Sequence, residues 1–345
     1  MKSTIYENSS LIISKGTPPE NWDSFVSTLG GGFYLTNAYA EINKQQGAIP
    51  IYFRLIDGNN TTGVALGFIR SRWARWPANE LFKIFDWQTH PAVINNDQKT
   101  LTFFSKKIIE KIEKYSFIKF HLHSEDAIIS PDFHQTENYI NRDRLEYRVE
   151  LSDDPIDVMA RISSRKRTYL RSAIKETTIV VRELSDQKAV EQLIQFQEIS
   201  RERRRMRGED YAIASQSAAK SIYESYVANG FGRVFISYQN ETPLSGILLH
   251  CWNKRAYYTM SGCSELGFSV NAPMITVWGA IESLCRDGYR ELNLGGVPAS
   301  ASNQSDIAHG LYRFKRSFGG VETTCRSFEK ETPGLRSTLF KILNK

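Results

Sequence analysis

Cysteine is scarce in this chain. Its 345 residues hold four, Cys251, Cys263, Cys285 and Cys325, all in the second half and none in a Cys-x-x-Cys pair. That spacing excludes a disulfide framework and a cysteine zinc site, and fits a reducing compartment. No apolar run approaches the roughly 20 residues that a membrane-spanning helix requires. The opening stretch, from Met1 to Ser10, lacks the apolar core of a secretory signal. A cytoplasmic location is therefore expected. Low-complexity tracts, short repeats and the Gly-x-Ser-x-Gly nucleophile elbow of serine hydrolases are also missing. His121-x-His123 puts two imidazoles on one strand face, but the sequence offers no third ligand nearby, so no metal is expected and the pair reads as structural.

Hydrophobic residues make up 41% and aromatic residues 12%, too much for a disordered chain and enough to fill two cores. The length also suggests two domains. The formal charge of +6 suits anionic partners such as phosphates, nucleic acid or a membrane surface.

Periodicity in the first third predicts helices at 22–29, 38–46 and 99–115. It predicts strands at 51–56, 64–71, 118–123 and 146–151. Asp153-Asp154-Pro155 is a punctuated break, and a domain boundary is placed there, between 151 and 152. Beyond it come a helix at 156–175, a strand at 178–183 and helices at 187–205 and 217–229. Strands at 233–239, 244–251 and 256–261 follow, then a helix at 272–286 and a strand at 291–294. Such an order describes an α/β (α+β) unit with a mixed, mostly antiparallel sheet rather than a doubly wound one.

Two helices are strongly basic. One carries Arg161, Arg165, Lys166, Arg167, Arg171 and Lys175 with no acid among them. The other ends in Arg201, Arg203, Arg204, Arg205 and Arg207 against Glu202 alone. Arginine predominates, its planar fork matches phosphate, and residues three or four apart share a face. A polyanionic substrate is the sharper expectation, and a solvated surface the plainer one.

The densest motif lies near the C-terminus. Asn293-Leu294-Gly295-Gly296 ends a strand, where glycine admits close approach to the backbone. Gly310-Leu311-Tyr312-Arg313-Phe314-Lys315-Arg316-Ser317-Phe318-Gly319-Gly320 comes next, with the glycines as a helix cap. Lys315 is expected to be held between Phe314 and Phe318.

Four stretches together resemble the FemABX family, the peptidoglycan-bridge aminoacyltransferases, whose fold is a tandem of GNAT-like domains. The first joins the glycine-bearing segments Asn293 to Gly296 and Gly310 to Gly320; the others are Ser163 to Ala173, Pro243 to Leu249 leading to Tyr257 to Gly262, and Pro273 to Gly288 with Trp278. The resemblance covers about 160–320 well and the first domain weakly. It implies two tandem GNAT-like domains, 1–151 and 152–321, with 322–345 packing back on the first. It also implies that Phe314 and Lys315 border the reaction centre. Lys166, Arg167, Arg171, Arg205 and Arg207 would meet phosphates, and Tyr258, Ser261, Asn293, Gly295, Tyr312 and Arg313 would line the substrate site. In the first domain the family shows a Gly-Pro turn followed by an acid. Here His90-Pro91 leads to Asn95, and Asp97 stands two residues on as the candidate base.

An acyl ester is already activated, so the enzyme must position an amine and stabilise an oxyanion. An amine of pKa ~10.4 is neutral about one part in 2,500 at pH 7. Asp97, Asp86 or the leaving oxygen must take its proton, and Lys315 is the candidate facing the oxyanion. Ordinary GNAT enzymes hold coenzyme A on an Arg/Gln-x-x-Gly-x-Gly/Ala loop at a helix N-terminus. Residues 266–272 lack that pattern.

The donor that the resemblance implies is aminoacyl-tRNA, with no cofactor. The expected acceptor is an amine on a cell-envelope precursor, such as a nucleotide- or lipid-linked one, or on a related small molecule, handled by a monomer in the cytoplasm or at the inner membrane surface. The alternatives are an acyl-CoA-dependent N-acyltransferase acting on an amino sugar of a surface polysaccharide, and a non-catalytic phosphate- or nucleic-acid-binding protein. The final segment, 334–345, has Leu335, Leu339, Ile342 and Leu343 at helical spacing. It is expected to dock on the first domain through them, the competing site being an anionic membrane.

Overall fold

A computed structural model describes residues 9–343 except 72, 74–76, 113–116, 134–138, 177, 207 and 209–212. The chain forms two compact units, 1–144 with 324–345, and 145–323. The Asp-Asp-Pro turn suggested a first division at 151/152. In the structure it falls at 144/145, inside a strand that runs from Ile140 to Glu150.

The first unit contains β1 (Ser9–Lys15), α1 (Trp22–Thr28), α2 (Asn37–Gln45), β2 (Ile49–Asp57), β3 (Asn60–Ser71) and α3 (Ala78–Leu81). It continues with β4 (Lys83–Trp87), β5 (Ala92–Val93), α4 (Gln98–Ile112), β6 (Lys119–Leu122) and the start of β7 (Ile140–Glu150). Antiparallel pairing joins β1 to β2, β2 to β3 and β3 to β4, whereas β4 and β6 run parallel. Alternation along β4 and β6 buries Phe85, Trp87, Phe120 and Leu122 in the core. Leu101, Phe104, Ile108 and Ile112 of α4 recur at helical spacing and close that core. Strands β1 and β4 were not expected from periodicity.

The second unit completes β7 and adds α5 (Pro155–Arg161), α6 (Ser164–Glu176), β8 (Ile179–Leu184), α7 (Gln187–Arg205) and α8 (Ala219–Ile222). Then come β9 (Gly232–Gln239), β10 (Thr242–Trp252), β11 (Arg255–Cys263), α9 (Glu265–Ser269), α10 (Ala272–Arg286), β12 (Glu291–Pro298) and α11 (His309–Arg316). Its strands lie in the order β7-β12-β11-β10-β9-β8. Strands β8 to β11 form an antiparallel meander whose tight links at Asn240-Glu241 and Asn253-Lys254 take positive φ at both positions, as two-residue hairpins require. After α10 the chain returns as β12, parallel to β11.

The single helix expected at 156–175 is two. Ile162 takes an extended conformation, buries its side chain, and passes the chain to Ser163, whose N–H donates to the Ser317 carbonyl at 3.2 Å. Gly262 lies where β11 meets α7. A Cβ there would come within 2.5 Å of the Gln197 backbone nitrogen, so only glycine permits the contact.

Strand β13 (Val321–Glu331) carries the chain from the second unit back to the first, where Phe328–Glu331 pairs antiparallel with β6. The last helix, α12 (Leu335–Leu343), corrects an expectation. Among the described residues its contacts include Phe340, which packs edge-on against Trp73 and obliquely against Phe82, and Lys341, which pairs with Glu331 at 2.6 Å. Leu335, Leu339, Ile342 and Leu343, expected to dock, are exposed.

Candidate active site

Strands β11 and β12 pair in parallel over Arg255–Tyr257 and Glu291–Asn293, and side-chain bonds shape the backbone just beyond Asn293. Asn293, fully buried, accepts from the Gly295 N–H at 2.8 Å and donates to the Glu146 carboxylate at 2.8 Å. Gly295 thereby holds a φ of +72°. A Cβ there would lie 3.1 Å from the Tyr258 carbonyl oxygen and 3.3 Å from Lys315 Nζ. Glycine at this position lets a cation reach the parting strands.

Lys315 is 6% exposed. Its ammonium donates to the Gly296 carbonyl at 3.2 Å and stands 5.7 Å from the centre of the Tyr258 ring. The sequence placed this cation between Phe314 and Phe318. Instead those rings, Phe314 in the last turn of α11 and Phe318 two residues past its end, pack edge-to-face at 5.3 Å, and Lys315 points toward β12.

Around this point lie charges that the sequence did not reveal. Glu146 of β7 is fully buried, with Arg148 3.8 Å away. Arg148 in turn donates to Glu291 at 2.8 Å, and Arg255 reaches the same Glu291 oxygen at 3.2 Å. Tyr147 donates to Glu322 at 2.7 Å; burial, then the Glu322 hydrogen bond and charge, push its phenol well above the usual range. Tyr312 accepts from Arg316 at 3.1 Å and stacks on His309. The sequence signal was present but ambiguous, because strict alternation in Glu146-Tyr147-Arg148-Val149 reads as a strand with one solvated face. Here both faces are covered.

The other expected residues divide. Tyr258, Ser261, Asn293, Gly295, Tyr312 and Lys315 all lie on β11, β12 or α11. Phe314 is half-buried on the core, and Arg313 is exposed. Lys166 and Arg167 of α6 are half-exposed, and Arg171 is exposed. Arg167 spends one guanidinium nitrogen on the Ala160 carbonyl at 2.6 Å. Arg205 forms a two-pronged pair with Glu202 at 2.9 Å, and Arg207 lies outside the described residues. Asp97 belongs to the first unit. It is exposed, and one oxygen accepts from both the N–H and hydroxyl of Thr100 at 2.7 Å, as a helix N-cap does at the head of α4.

The first unit has a polar cluster of its own. Asp86 on β4 accepts from Arg70 at 3.1 Å and lies 2.9 Å from His123 Nε2. Burial works to raise the Asp86 carboxyl, but the His123 hydrogen bond and the His123 and Arg70 charges carry it below its usual range. Burial likewise works against the His123 cation, and the Asp86 bond and charge overcome it, leaving that pKa raised. At His121 burial prevails and the pKa is lowered. The third group, which the sequence did not show beside His121 and His123, is Asp86.

Residues 160–316 match the family model described as an acetyltransferase (GNAT) domain. The fold is a tandem of GNAT-like units, and the second unit carries the matched acetyltransferase domain. Over almost its whole length the chain has the fold of FemX: the TM-score is 0.71, covering 96% of this chain and 100% of that one at 13% identity. It is also similar to L-PGS from Bacillus licheniformis, with a TM-score of 0.51 and 10% identity over 94% of this chain and 96% of that one. A conserved protein of unknown function from Bacteroides thetaiotaomicron aligns with a TM-score of 0.52 at 11% identity, over 93% and 99% of the two chains. No curated protein matches the sequence significantly.

Proposed function

We propose that this acyltransferase moves an aminoacyl group from aminoacyl-tRNA onto an amine of a cell-envelope precursor, nucleotide- or lipid-linked, forming an amide. The observation that carries the reading is the Lys315 ammonium, buried and fixed by Gly296 and Tyr258 where β11 and β12 part. A neutral amine attacks the ester carbonyl, and the carbonyl oxygen takes up negative charge that Lys315 faces. The carbon–oxygen bond to the ribose then breaks, and the amine's proton leaves with the ribose hydroxyl. A fixed cation at a developing oxyanion contributes mainly to the transition state.

The segment before α10 supports a donor other than acyl-CoA. Its amides bond internally: Gly267 N–H to the Ser264 hydroxyl at 3.0 Å, Phe268 N–H to the Ser264 carbonyl at 2.9 Å, and Val270 N–H to Leu266 at 3.1 Å. A diphosphate would need those donors turned outward. The competing reading, acyl-CoA-dependent N-acylation of an amino sugar, draws on the acetyltransferase description of the matched family model.

The deciding assay offers charged tRNA and acyl-CoA separately, each with envelope-precursor amines. Loss of the aminoacyl ester with amide formation is expected. Consumption of thioester alone reverses the donor assignment, and binding without consumption of either ends the enzymatic reading.

A further inference from the structure

Asp86, His121 and His123 meet because of sheet register. Strands β4 and β6 run parallel with Asp86 directly opposite His121. Phe85, Trp87, Phe120 and Leu122 fill the core side, so the residues between them share the other face. His123 lies one residue past the end of β6 yet still donates its N–H to the Trp87 carbonyl at 2.7 Å, which extends the ladder and keeps it on that face. One ligand atom from each of the three residues lies within 4.8 Å of the others.

Two further features point to an ion. His121 Nε2 is shut off from solvent and has no hydrogen-bond partner among the described residues. A buried ring nitrogen without a partner is costly and calls for an explanation. Second, the carboxylate is oriented from behind. Arg70 holds one Asp86 oxygen at 3.1 Å and is itself held by Asn43, which leaves the other oxygen on the histidine side. Outer-shell bonds of this kind fix ligands in metal sites.

We infer that Asp86, His121 and His123 form a binding site for a divalent transition-metal ion of the zinc class. Two imidazole nitrogens and one carboxylate oxygen match the three-ligand set that leaves a fourth tetrahedral position to water. Ligand distances of about 2.0–2.2 Å place tetrahedral neighbours roughly 3.3–3.5 Å apart. The His123–Asp86 contact therefore opens by about half an ångström as the ion replaces its hydrogen bond, while His121 moves inward. The ion links β4 to β6 across two sequence-distant strands. Lys119, Glu329, Glu125 and Arg144 surround the cluster, and the Lys119–Glu329 pair keeps the charge beside His121 balanced.

The test uses the full chain, stripped with chelator and titrated with Zn²⁺ by calorimetry and with Co²⁺ by visible absorption. One equivalent per chain is expected, with a tetrahedral Co²⁺ band and a melting temperature that rises with free Zn²⁺. His121→Gln and Asp86→Asn each remove a direct ligand and are expected to weaken binding by more than the roughly 10–100-fold that follows loss of an outer-shell partner. Long-range ¹H–¹⁵N spectra of the six imidazoles give a readout that needs no variant. Two rings should shift to metal-bound positions as one equivalent is added. No band, no shifted ring, or unchanged affinity in folded His121→Gln overturns the site.

Discussion

The two units have related folds and different interiors. The first packs Phe53, Phe85, Trp87, Phe104, Phe117, Phe120, Phe133 and Phe328 into one core, many of the rings edge-to-face. The second relies on aliphatic packing around α10 and Trp278, and beside that it buries Glu146, Arg148, Asn293 and Lys315. An aromatic core can be met by many sequences, since the requirement is volume and shape. Buried charge tolerates few, because each group needs its partners in place. The family model matches within the second unit alone, where the fixed polar groups are. The lesson is that this fold keeps its chemical identity in the unit whose interior is expensive to change.

The sharpest way to break that comparison is Lys315→Ala. Turnover should drop about 10²–10³-fold with the fold retained, the range for losing one oxyanion donor. Circular dichroism alongside steady-state kinetics checks both halves, and unchanged turnover would return Lys315 to a packing role.

Next come the glycines. Gly262→Ala presses a methyl on the backbone of α7, which cannot move alone, and should cost ~3 kcal/mol, the upper end for overpacking. Gly67→Ala in the first unit meets ring atoms of Phe85 and Trp87, with Trp87 Cδ1 at 2.6 Å; these can rotate slightly, so nearer ~1 kcal/mol is expected. Denaturant midpoints of the two variants measure the difference, and equal losses would mean that the aromatic core is as rigid as the helix contact.

A third effect is pH dependence in the second unit. Burial drives the His250 pKa from 6.5 down to about 3, and the Tyr226 ring stacks on it at 4.2 Å. The unfolded chain takes up the proton first, so this contribution is complete above about pH 6.5 and is lost as pH falls toward 3. His250→Phe should flatten the melting temperature across that window. A profile as steep as that of the parent would place the acid sensitivity elsewhere.

The smallest effect concerns the basic helices. Arg171→Glu should weaken binding of charged tRNA and lower the salt slope by ~0.7 per lost phosphate contact. Arg205→Glu should do less, because that guanidinium is already paired with Glu202. Affinity measured at several salt concentrations separates them, and equal slopes would erase the distinction.

Much of the second unit was legible in the sequence, including α7 and α10 to the residue, because their apolar periodicity is strong and hairpin residues mark the strand ends. The motifs holding Asn293, Gly295 and Lys315 also stood out, since paired glycines at the end of an apolar run and a lysine among aromatics are unusual patterns, although β12 runs on through the glycines to Pro298. Glu146 did not, because alternation alone cannot tell a solvated face from a buried polar one. Nor did Asp86 as a partner of the histidines. Its strand is only five residues long, and its closeness to His121 is a matter of register between segments 35 residues apart, which no local pattern encodes.

Strand β13 has a consequence for how the protein is made. Residues 119–122 must wait for 328–331 before β6 gains its antiparallel partner, and the ribosome delivers the whole second unit in between. Domains usually fold in the order in which they emerge, the N-terminal one first. Here the first unit has its beginning synthesised earliest and its sheet completed last, so the nascent chain finishes the inserted unit while the enclosing one still lacks a strand.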